Sequence, residues 1–153
     1  MIPEQHRKKA AWVAIATACI GGAEGLRTVA YRDPVGIPTA CFGETLGVRM
    51  GQEYTVEQCR EMLGTRVEEF GRGVDSCTKV ALPPYRKAAL VSFAYNVGVA
   101  NYCGSTLVRK LNAGDTVGAC SELSKWTKAK GITLPGLVKR REQERLMCMK
   151  ELT

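Results

Sequence analysis

The amino-terminal part of the chain begins with polar and basic residues and continues with an apolar segment. Residues 1–9 end in three consecutive basic side chains, and residues 10–23 contain no charged side chain. Four side chains in the second segment recur at helical spacing: Trp12, Ile15, Cys19 and Ile20. This pattern predicts a helix that leads directly into Glu24.

The region after the apolar segment has the pattern of strands and turns. From Leu26 to Gly51, glycine, proline and β-forming residues alternate. Turn signals occur at three places: Asp33-Pro34, Gly36 and Gly43. We expect a short antiparallel sheet here, with Asp33 and Thr39 on its loops.

A long amphipathic helix is predicted over residues 55–73. Thr55 and Gln58 have the spacing of a capping box. One apolar stripe follows at helical spacing: Val56, Cys59, Leu63, Val67 and Phe70. We expect this helix to end at Gly71 and Gly73.

The second half of the chain carries the signals of further helices. Pro83-Pro84 opens one of them, and residues 88–99 are apolar on nearly every face, which predicts a buried central helix. Three of its residues are expected to be core residues: Phe93, Tyr95 and Asn96. Three positions mark helix ends in the following region: Ser105, Gly114 and Asp115.

The last predicted helix begins at about residue 136. It presents five residues along one side: Leu137, Arg141, Arg145, Cys148 and Leu152. Arg140 is a further basic residue, and Glu142 and Glu144 interleave with these arginines. Since no recognised nucleic-acid-binding module is present, we expect a solvated, salt-bridged helix face and no nucleic-acid partner.

Composition limits the class of protein. The 153 residues suffice for one domain, and 45% hydrophobic with 24% charged residues is typical of a globular chain. The net charge of +7 favours a polyanionic partner such as nucleic acid, anionic lipid or a wall polymer that carries carboxylates. His6 is the only histidine, which excludes Cys–His and Ser–His hydrolases and zinc amidases. Nothing in the sequence requires a metal, a cofactor or an oligomer, and we expect a monomer.

The seven cysteines contain no CxxC pair, so disulfide bonds are favoured over a zinc site, with buried free thiols as the alternative. Spacing alone does not fix their connectivity. Their placement on the predicted elements suggests three pairs: Cys41–Cys59, Cys77–Cys103 and Cys120–Cys148. Cys19 is then the odd thiol. It is either a small core residue or a thiol that pairs with Cys41 and holds the protein inactive until exchange.

Glu24 and Asp33 are acidic residues that lie before and inside the turn-rich region. Such a pair can face each other across a cleft, and glycoside hydrolysis needs one protonated acid and one ionised carboxylate. Taken alone, the pair is more typical of two solvated surface acids. The residues around the pair favour the first interpretation.

The pattern E-x8-D-x5-T, formed by Glu24, Asp33 and Thr39 and followed by the run CFGET at 41–45, resembles the catalytic signature of phage-type lysozymes (endolysins), glycoside hydrolase family 24. The resemblance covers residues 22–150. It continues through four further features: SFAYNVG at 92–98, STLVRKLNAGD at 105–115, Trp126 and GLVKRREQERLM at 136–147.

The resemblance implies roles for three residues. Glu24 would be the general acid, Asp33 the second carboxylate, and Thr39 a residue that holds the attacking water. The implied reaction is hydrolysis of the β-1,4 bond between N-acetylmuramic acid and N-acetylglucosamine in peptidoglycan, with inversion, for host cell lysis. Glu44 departs from the family pattern, because a histidine is usual there, and a third acid near the cleft could raise the pKa of its neighbours.

The implied fold is α+β and mainly helical, with the two lobes of lysozymes. A small antiparallel sheet lobe and a larger helical lobe would be joined by a long helix. The expected division is residues 1–23 for the amino-terminal segment, 24–54 for the catalytic glutamate and sheet lobe, 55–73 for the connecting helix and 74–153 for the helical lobe.

Three interpretations of residues 10–23 stay open. The segment has the basic flank of a secretory signal, and its helical length of about 21 Å is short against a membrane core of about 30 Å. Cleavage would leave Glu24 without a preceding helix, whereas a core helix would hold it. Some endolysins carry an uncleaved signal-arrest-release segment, which this one resembles.

That last interpretation places the protein in the host periplasm after Sec-type export, first tethered to the inner membrane by residues 10–23. The alternative location is the host cytoplasm until release. Two other functions compete with hydrolysis. A lytic transglycosylase would use one glutamate, so Asp33 and Thr39 argue against it. A basic binding module explains the charge but not the spacing of these residues.

Overall fold

The structure, a computed structural model, describes residues 2–150. The helices and strands of these residues follow one another in this order: α1 (Glu4–Glu24), β1 (Arg27–Arg32), β2 (Pro38–Cys41), α2 (Val56–Cys77), α3 (Pro84–Val97), α4 (Val99–Cys103), α5 (Thr106–Asn112), α6 (Thr116–Glu122), β3 (Lys128–Ala129), β4 (Ile132–Thr133) and α7 (Pro135–Met149). The mainly helical α+β class is confirmed. Leu152, predicted to lie along the last helix, falls outside the described residues.

α1 combines the basic and the apolar parts of the amino terminus in one helix. Ala16 and Ile20 are fully buried, and Trp12 and Ile15 pack against the same core from partly exposed positions. The prediction of a core helix that leads into Glu24 is therefore confirmed. Across residues 2–150, no helix combines the length and the apolar character needed to cross a membrane.

β1 and β2 form the expected antiparallel hairpin, in which Tyr31 lies opposite Thr39. A small apolar cluster lies beneath it and includes Ala30, Ala40 and Val48. The disulfide between Cys41 and Cys59 joins the end of β2 to α2. The hairpin is thereby fixed to the helix that connects it with the helical lobe.

α2 begins as predicted, because Thr55 and Gln58 form a complete capping box. The prediction that Gly71 and Gly73 end the helix is wrong, since it continues to Cys77. Both glycines instead allow close packing. A Cβ atom on Gly71 would collide with the ring of Trp12, and one on Gly73 would collide with Val99.

α3 is the buried central helix, and α1, α2 and α7 pack around it. Pro84 opens it, and Phe93 is a core residue, as predicted. Tyr95 is half-buried, and the expectation of core packing is wrong for Asn96, which is exposed. Asn96 lies near the end of α3, where the helix leaves the core and meets a surface groove.

The remaining elements follow local capping signals. Ser105 caps α5 by accepting a hydrogen bond from Val108, and Asp115 caps α6 by accepting one from Gly118. The short β3–β4 hairpin was not predicted. Its two turn residues, Lys130 and Gly131, both have positive φ angles, which suit a tight hairpin turn.

The predicted pairing of the cysteines is confirmed, with Cys19 as the odd thiol, whereas an inactive form in which Cys19 pairs with Cys41 stays a hypothesis. Three disulfides are present: Cys41–Cys59, Cys77–Cys103 and Cys120–Cys148. Cys19 is a free thiol and half-buried. Its Sγ atom lies 3.5 Å from the hydroxyl of Ser92 on α3, to which it donates a hydrogen bond.

Candidate active site

Glu24 is the last residue of α1. Gly25 follows with a φ angle of +74°, and its amide donates to the carbonyl of Gly21, which ends the helix and turns the chain into β1. The Glu24 side chain is 25% exposed. The helix end therefore places this carboxylate at the junction of the hairpin and the helical lobe.

Arg140 of α7 holds the Glu24 carboxylate. Its Nη1 atom donates to Glu24 Oε1 at 2.7 Å, and its Nη2 atom donates to the carbonyl of Ser92 at 3.1 Å. The Arg140 side chain is only 7% exposed. A charge-assisted hydrogen bond from a buried guanidinium fixes one oxygen of Glu24 more firmly than a surface ion pair would.

Arg140 belongs to a buried network with Arg141 and Glu144. Glu144 accepts hydrogen bonds from Arg140 Nε at 3.3 Å, Arg141 Nη1 at 2.5 Å and Ser92 Oγ at 2.6 Å. Arg141 also donates to the carbonyl of Trp126 at 2.9 Å and to the side chain of Asn96. The network spans α3, α7 and the end of α1.

The expectation of a solvated helix face is wrong for Arg140, Arg141 and Glu144, which are all buried. It holds for Arg145, which forms an ion pair with the exposed Glu142 at 2.6 Å. The pattern on α7 is typical of a surface helix, but α1 and α3 supply hydrogen-bond partners from distant positions in the chain. Local sequence carries no signal for such partners, so Arg140 was missed as a site residue.

Asp33 lies in the turn of the hairpin, as predicted, whereas the expectation of a loop position is wrong for Thr39, which lies in β2. Ile37 connects the two residues. Asp33 Oδ1 accepts hydrogen bonds from the amides of Val35 at 3.0 Å and Ile37 at 2.8 Å. Thr39 is buried, and its hydroxyl donates to the carbonyl of Ile37 at 2.9 Å. Because that hydroxyl proton is already used, Thr39 can only accept a hydrogen bond from a further group such as water.

Glu24 lies apart from these two residues. Among residues 2–150, no hydrogen bond or ion pair joins its carboxylate to Asp33 or Thr39. Glu24 Oε2 instead lies 3.5 Å from the position that a Cβ atom would take on Gly43, just after β2. The structure thus links Asp33 in the turn and Thr39 in β2 through Ile37, and it sets Glu24 at the base of the same hairpin.

Glu44 is not an uncommitted third acid. It is buried and accepts hydrogen bonds from Arg66 Nε at 2.8 Å and from the amides of Thr45 and Leu46 at 3.1 and 2.9 Å. Burial alone would raise the pKa of Glu44, but the hydrogen bonds from Arg66 and the two amides outweigh burial and lower it. Glu44 therefore stays ionised and fixes the segment after β2 to α2.

Tyr95 connects this segment to α3. Its hydroxyl donates to the carbonyl of Phe42 at 2.8 Å. Burial raises the pKa of Tyr95 to about 12, and the negative charges of Glu24 and Glu44 act in the same direction. Tyr95 therefore remains a hydrogen-bond donor at neutral pH and helps to hold the hairpin against the helical lobe.

A groove of about 760 Å³ opens beside Glu24. Among the residues that line it are Cys19, Asn96, Leu134, Arg140 and Gln143. Its volume lies within the range of small-molecule sites. Within residues 2–150, no group of three or more histidine, cysteine or acidic side chains is placed to bind a metal ion.

Comparison with known proteins identifies the family of the chain. The family model for phage lysozyme matches residues 21–144. A SAR-endolysin of Bacteriophage PS119 is 42% identical over 129 residues, which cover 84% of this chain and 77% of the relative.

Two solved structures share the fold. The endolysin from Escherichia coli O157:H7 phage FAHEc1 has a TM-score of 0.81 and 33% identity, and the match covers 90% of this chain and 92% of that one. The muramidase domain of SpmX from Asticaccaulis excentricus has a TM-score of 0.82 and 27% identity, with 90% and 95% covered. The chain therefore belongs to the phage lysozyme family and is a glycoside hydrolase of the endolysin type.

Proposed function

We propose that this enzyme hydrolyses the β-1,4 bond between N-acetylmuramic acid and N-acetylglucosamine, with Glu24 as general acid and Asp33 and Thr39 acting on the attacking water. One observation carries the proposal. The part-exposed carboxylate of Glu24 lies beside a groove and is held by the buried Arg140. The chain continues directly from Glu24 into the hairpin that carries the second acid, Asp33.

The reaction divides between the two carboxylates. Glu24, when protonated, gives its proton to the glycosidic oxygen as the bond to the anomeric carbon breaks. Asp33, ionised, stabilises the positive charge that develops on the sugar or takes a proton from water, and the Thr39 hydroxyl accepts a hydrogen bond from that water. An inverting reaction requires the two carboxyl groups about 6.5–9.5 Å apart, so that water fits between them.

The location of the enzyme is part of the proposal. Several of its relatives are called SAR-endolysins. We infer that this chain is likewise exported, is first tethered by residues 10–23 and acts on peptidoglycan in the host periplasm as a monomer. The support within the chain is the uncharged segment behind three basic residues.

Digestion of purified peptidoglycan tests the assignment of Glu24 and Asp33. We expect the wild type to release muropeptides with reducing ends, identified by mass spectrometry. Glu24→Gln and Asp33→Asn are expected to lower the rate by a factor of about 10²–10⁴, because each removes one partner of the acid–base pair. An asparagine at position 33 can still accept both amide hydrogen bonds, so the turn should persist.

Asp115→Asn is the matched control, since Asp115 also accepts a backbone amide but lies at the start of α6. It should leave the rate unchanged. Products with anhydro ends would identify a lytic transglycosylase and remove the role of Asp33. No soluble product from the wild type would favour a binding module and contradict the proposal.

A further inference from the structure

The buried carboxylate of Glu144 lies behind Arg140, on the side away from Glu24. Glu144 is fully buried and accepts hydrogen bonds from both neighbouring arginines and from Ser92. We propose that Glu144 is a positioning residue for the reaction, which holds the Arg140 guanidinium in the orientation that Glu24 requires. This proposal rests on the proposed function of Glu24.

The geometry of the guanidinium group explains how Glu144 acts at a distance. Arg140 donates from Nε to Glu144, from Nη2 to the Ser92 carbonyl and from Nη1 to Glu24. A guanidinium is planar, with its N–H directions fixed relative to one another. The hydrogen bonds to Glu144 and to the Ser92 carbonyl therefore fix the direction of the third donor, Nη1, which points at Glu24.

Arg141, the second arginine of the network, connects Glu144 to the groove. Arg141 also donates to Glu144, and it holds the side chain of Asn96, which lines the groove beside Glu24. Glu144 thus anchors two cationic side chains, each of which fixes a different residue of the site. Ser92 holds both residues in turn, because its hydroxyl donates to Glu144 Oε2 and its carbonyl accepts from Arg140 Nη2.

Glu144 also balances charge. The network contains two guanidinium groups and the carboxylates of Glu144 and Glu24, so the positive charge of Arg140 is shared between two acids. With a neutral residue in place of Glu144, the two guanidinium groups would face a single carboxylate, and the charge-assisted hydrogen bonds that hold Arg140 from behind would be weakened.

Glu144→Gln tests the proposal in the full-length enzyme, with a soluble peptidoglycan fragment as substrate. We expect kcat to fall by a factor of about 10–100, as is usual when a reacting group is misplaced, with little change in KM. A purely structural role would lower the amount of folded enzyme without changing kcat per folded molecule.

Glu122→Gln is the matched control. Glu122 is also a buried carboxylate between two cations, Lys110 at 2.6 Å and Lys125 at 3.0 Å, but no hydrogen bond links it to Glu24. We expect it to destabilise the enzyme without changing kcat of the folded fraction.

A double-mutant cycle with Arg140→Ala shows whether Glu144 acts through Arg140. In the Arg140→Ala background, Glu144→Gln should change kcat by less than about twofold, because coupled residues are not additive. Additive losses, or an unchanged kcat in the single variant, would overturn the proposal. Ser92→Ala provides the same test if Glu144→Gln does not fold, since it removes the hydrogen bond to Glu144 and the weak one from Cys19 but keeps every charge. It should lower kcat only while Arg140 is present, and an equal loss in both backgrounds would count against the proposal.

Glu24→Gln separates failure of this inference from failure of the proposed function. If the wild type is active and Glu24→Gln is not, a fully active Glu144→Gln contradicts only the positioning role. If the wild type and Glu24→Gln behave alike, the role of Glu24 fails and the positioning role fails with it.

Discussion

At the scale of single residues, the Glu44–Arg66 pair has the clearest consequence for stability. The Glu44 carboxylate is buried, whereas the Arg66 side chain is 26% exposed and also contacts Glu69. Loss of the arginine would leave a buried acid with only two amide donors. Such a group is costly, because burial opposes its charge and its strongest partner is missing.

We predict that Arg66→Met lowers the free energy of unfolding at pH 7 by about 1–3 kcal/mol, a value reduced from that of a fully buried pair because Arg66 is partly exposed. The pKa of Glu44 is lowered in the folded state, so its stabilising contribution is present above the unfolded pKa of about 4.3. That contribution is lost as the pH falls through the folded pKa.

Urea unfolding at pH 7 and at pH 3 measures this difference. The loss in the variant should be largest at pH 7 and should shrink at pH 3. Arg60→Met, at an exposed position on the same helix, is the control and should change stability little at either pH. A loss for Arg66→Met that is equal at both pH values would contradict the role assigned to Glu44.

At the scale of elements, α2 shows that glycines in one helix serve different purposes. Gly71 faces the ring of Trp12 on α1, where a Cβ atom would collide, whereas a Cβ atom on Gly64 would meet nothing within 4 Å. Both positions lie inside the same helix. Substitutions at Gly64 and Gly71 therefore measure helix propensity and packing between helices separately.

We predict opposite effects of alanine at these two sites. Gly64→Ala should raise the free energy of unfolding by about 0.5–1 kcal/mol, because alanine is the better helix former. Gly71→Ala should lower it by about 1–3 kcal/mol, the usual cost of overpacking. Chemical denaturation of both variants measures the difference, and a stabilising Gly71→Ala would show that α1 does not rest against α2 at this point.

The same element shows how far the sequence predicts the fold. The start of α2 depends on Thr55 and Gln58, which are close in sequence, so the capping box predicts it correctly. Its end was predicted too early, because Gly71 has the same local signal whether it stops a helix or admits a neighbouring ring. Only the position of Trp12, which belongs to a distant part of the chain, decides between the two.

The candidate site shows the same limit. Glu24, Asp33 and Thr39 lie within one short stretch and could be selected from the sequence, whereas Arg140 could not. A run of arginines and glutamates is typical of a solvated helix face, because isolated charges are rarely buried. Here the charges of α7 are paired with one another and with Glu24 of α1, and α3 adds the polar groups of Ser92 and Asn96, an arrangement that depends on tertiary packing.

At the scale of the whole molecule, three disulfides brace the lobes, and one of them lies near the support of the site. Cys120–Cys148 closes a sequence separation of 28 residues and joins α6 to α7, the helix that carries Arg140. A cross-link over such a separation restricts the unfolded chain. By the chain-entropy model, it stabilises the fold by about 3–4 kcal/mol.

We predict that the double variant Cys120→Ala/Cys148→Ala loses about 2–4 kcal/mol of unfolding free energy. Thermal and urea unfolding under oxidising conditions measure the loss. Cys19→Ser is the control, because it removes a thiol but leaves all three bridges and a hydrogen-bonding group beside Ser92. Equal stability of the double variant and the wild type would mean that packing alone holds α6 against α7.

The folded enzyme depends on residues 10–23, the apolar segment of α1 that resembles a secretory leader. A leader is ordinarily disposable, because the mature protein folds without it. Here Ala16 and Ile20 fill the core and Glu24 ends the same helix, so the segment is part of the wall of the groove beside the proposed acid. Loss of these residues by proteolysis would remove the helix that places the proposed acid, and Arg140 alone would be left to hold its carboxylate. The intact amino terminus is therefore as much a condition for turnover as the acid itself.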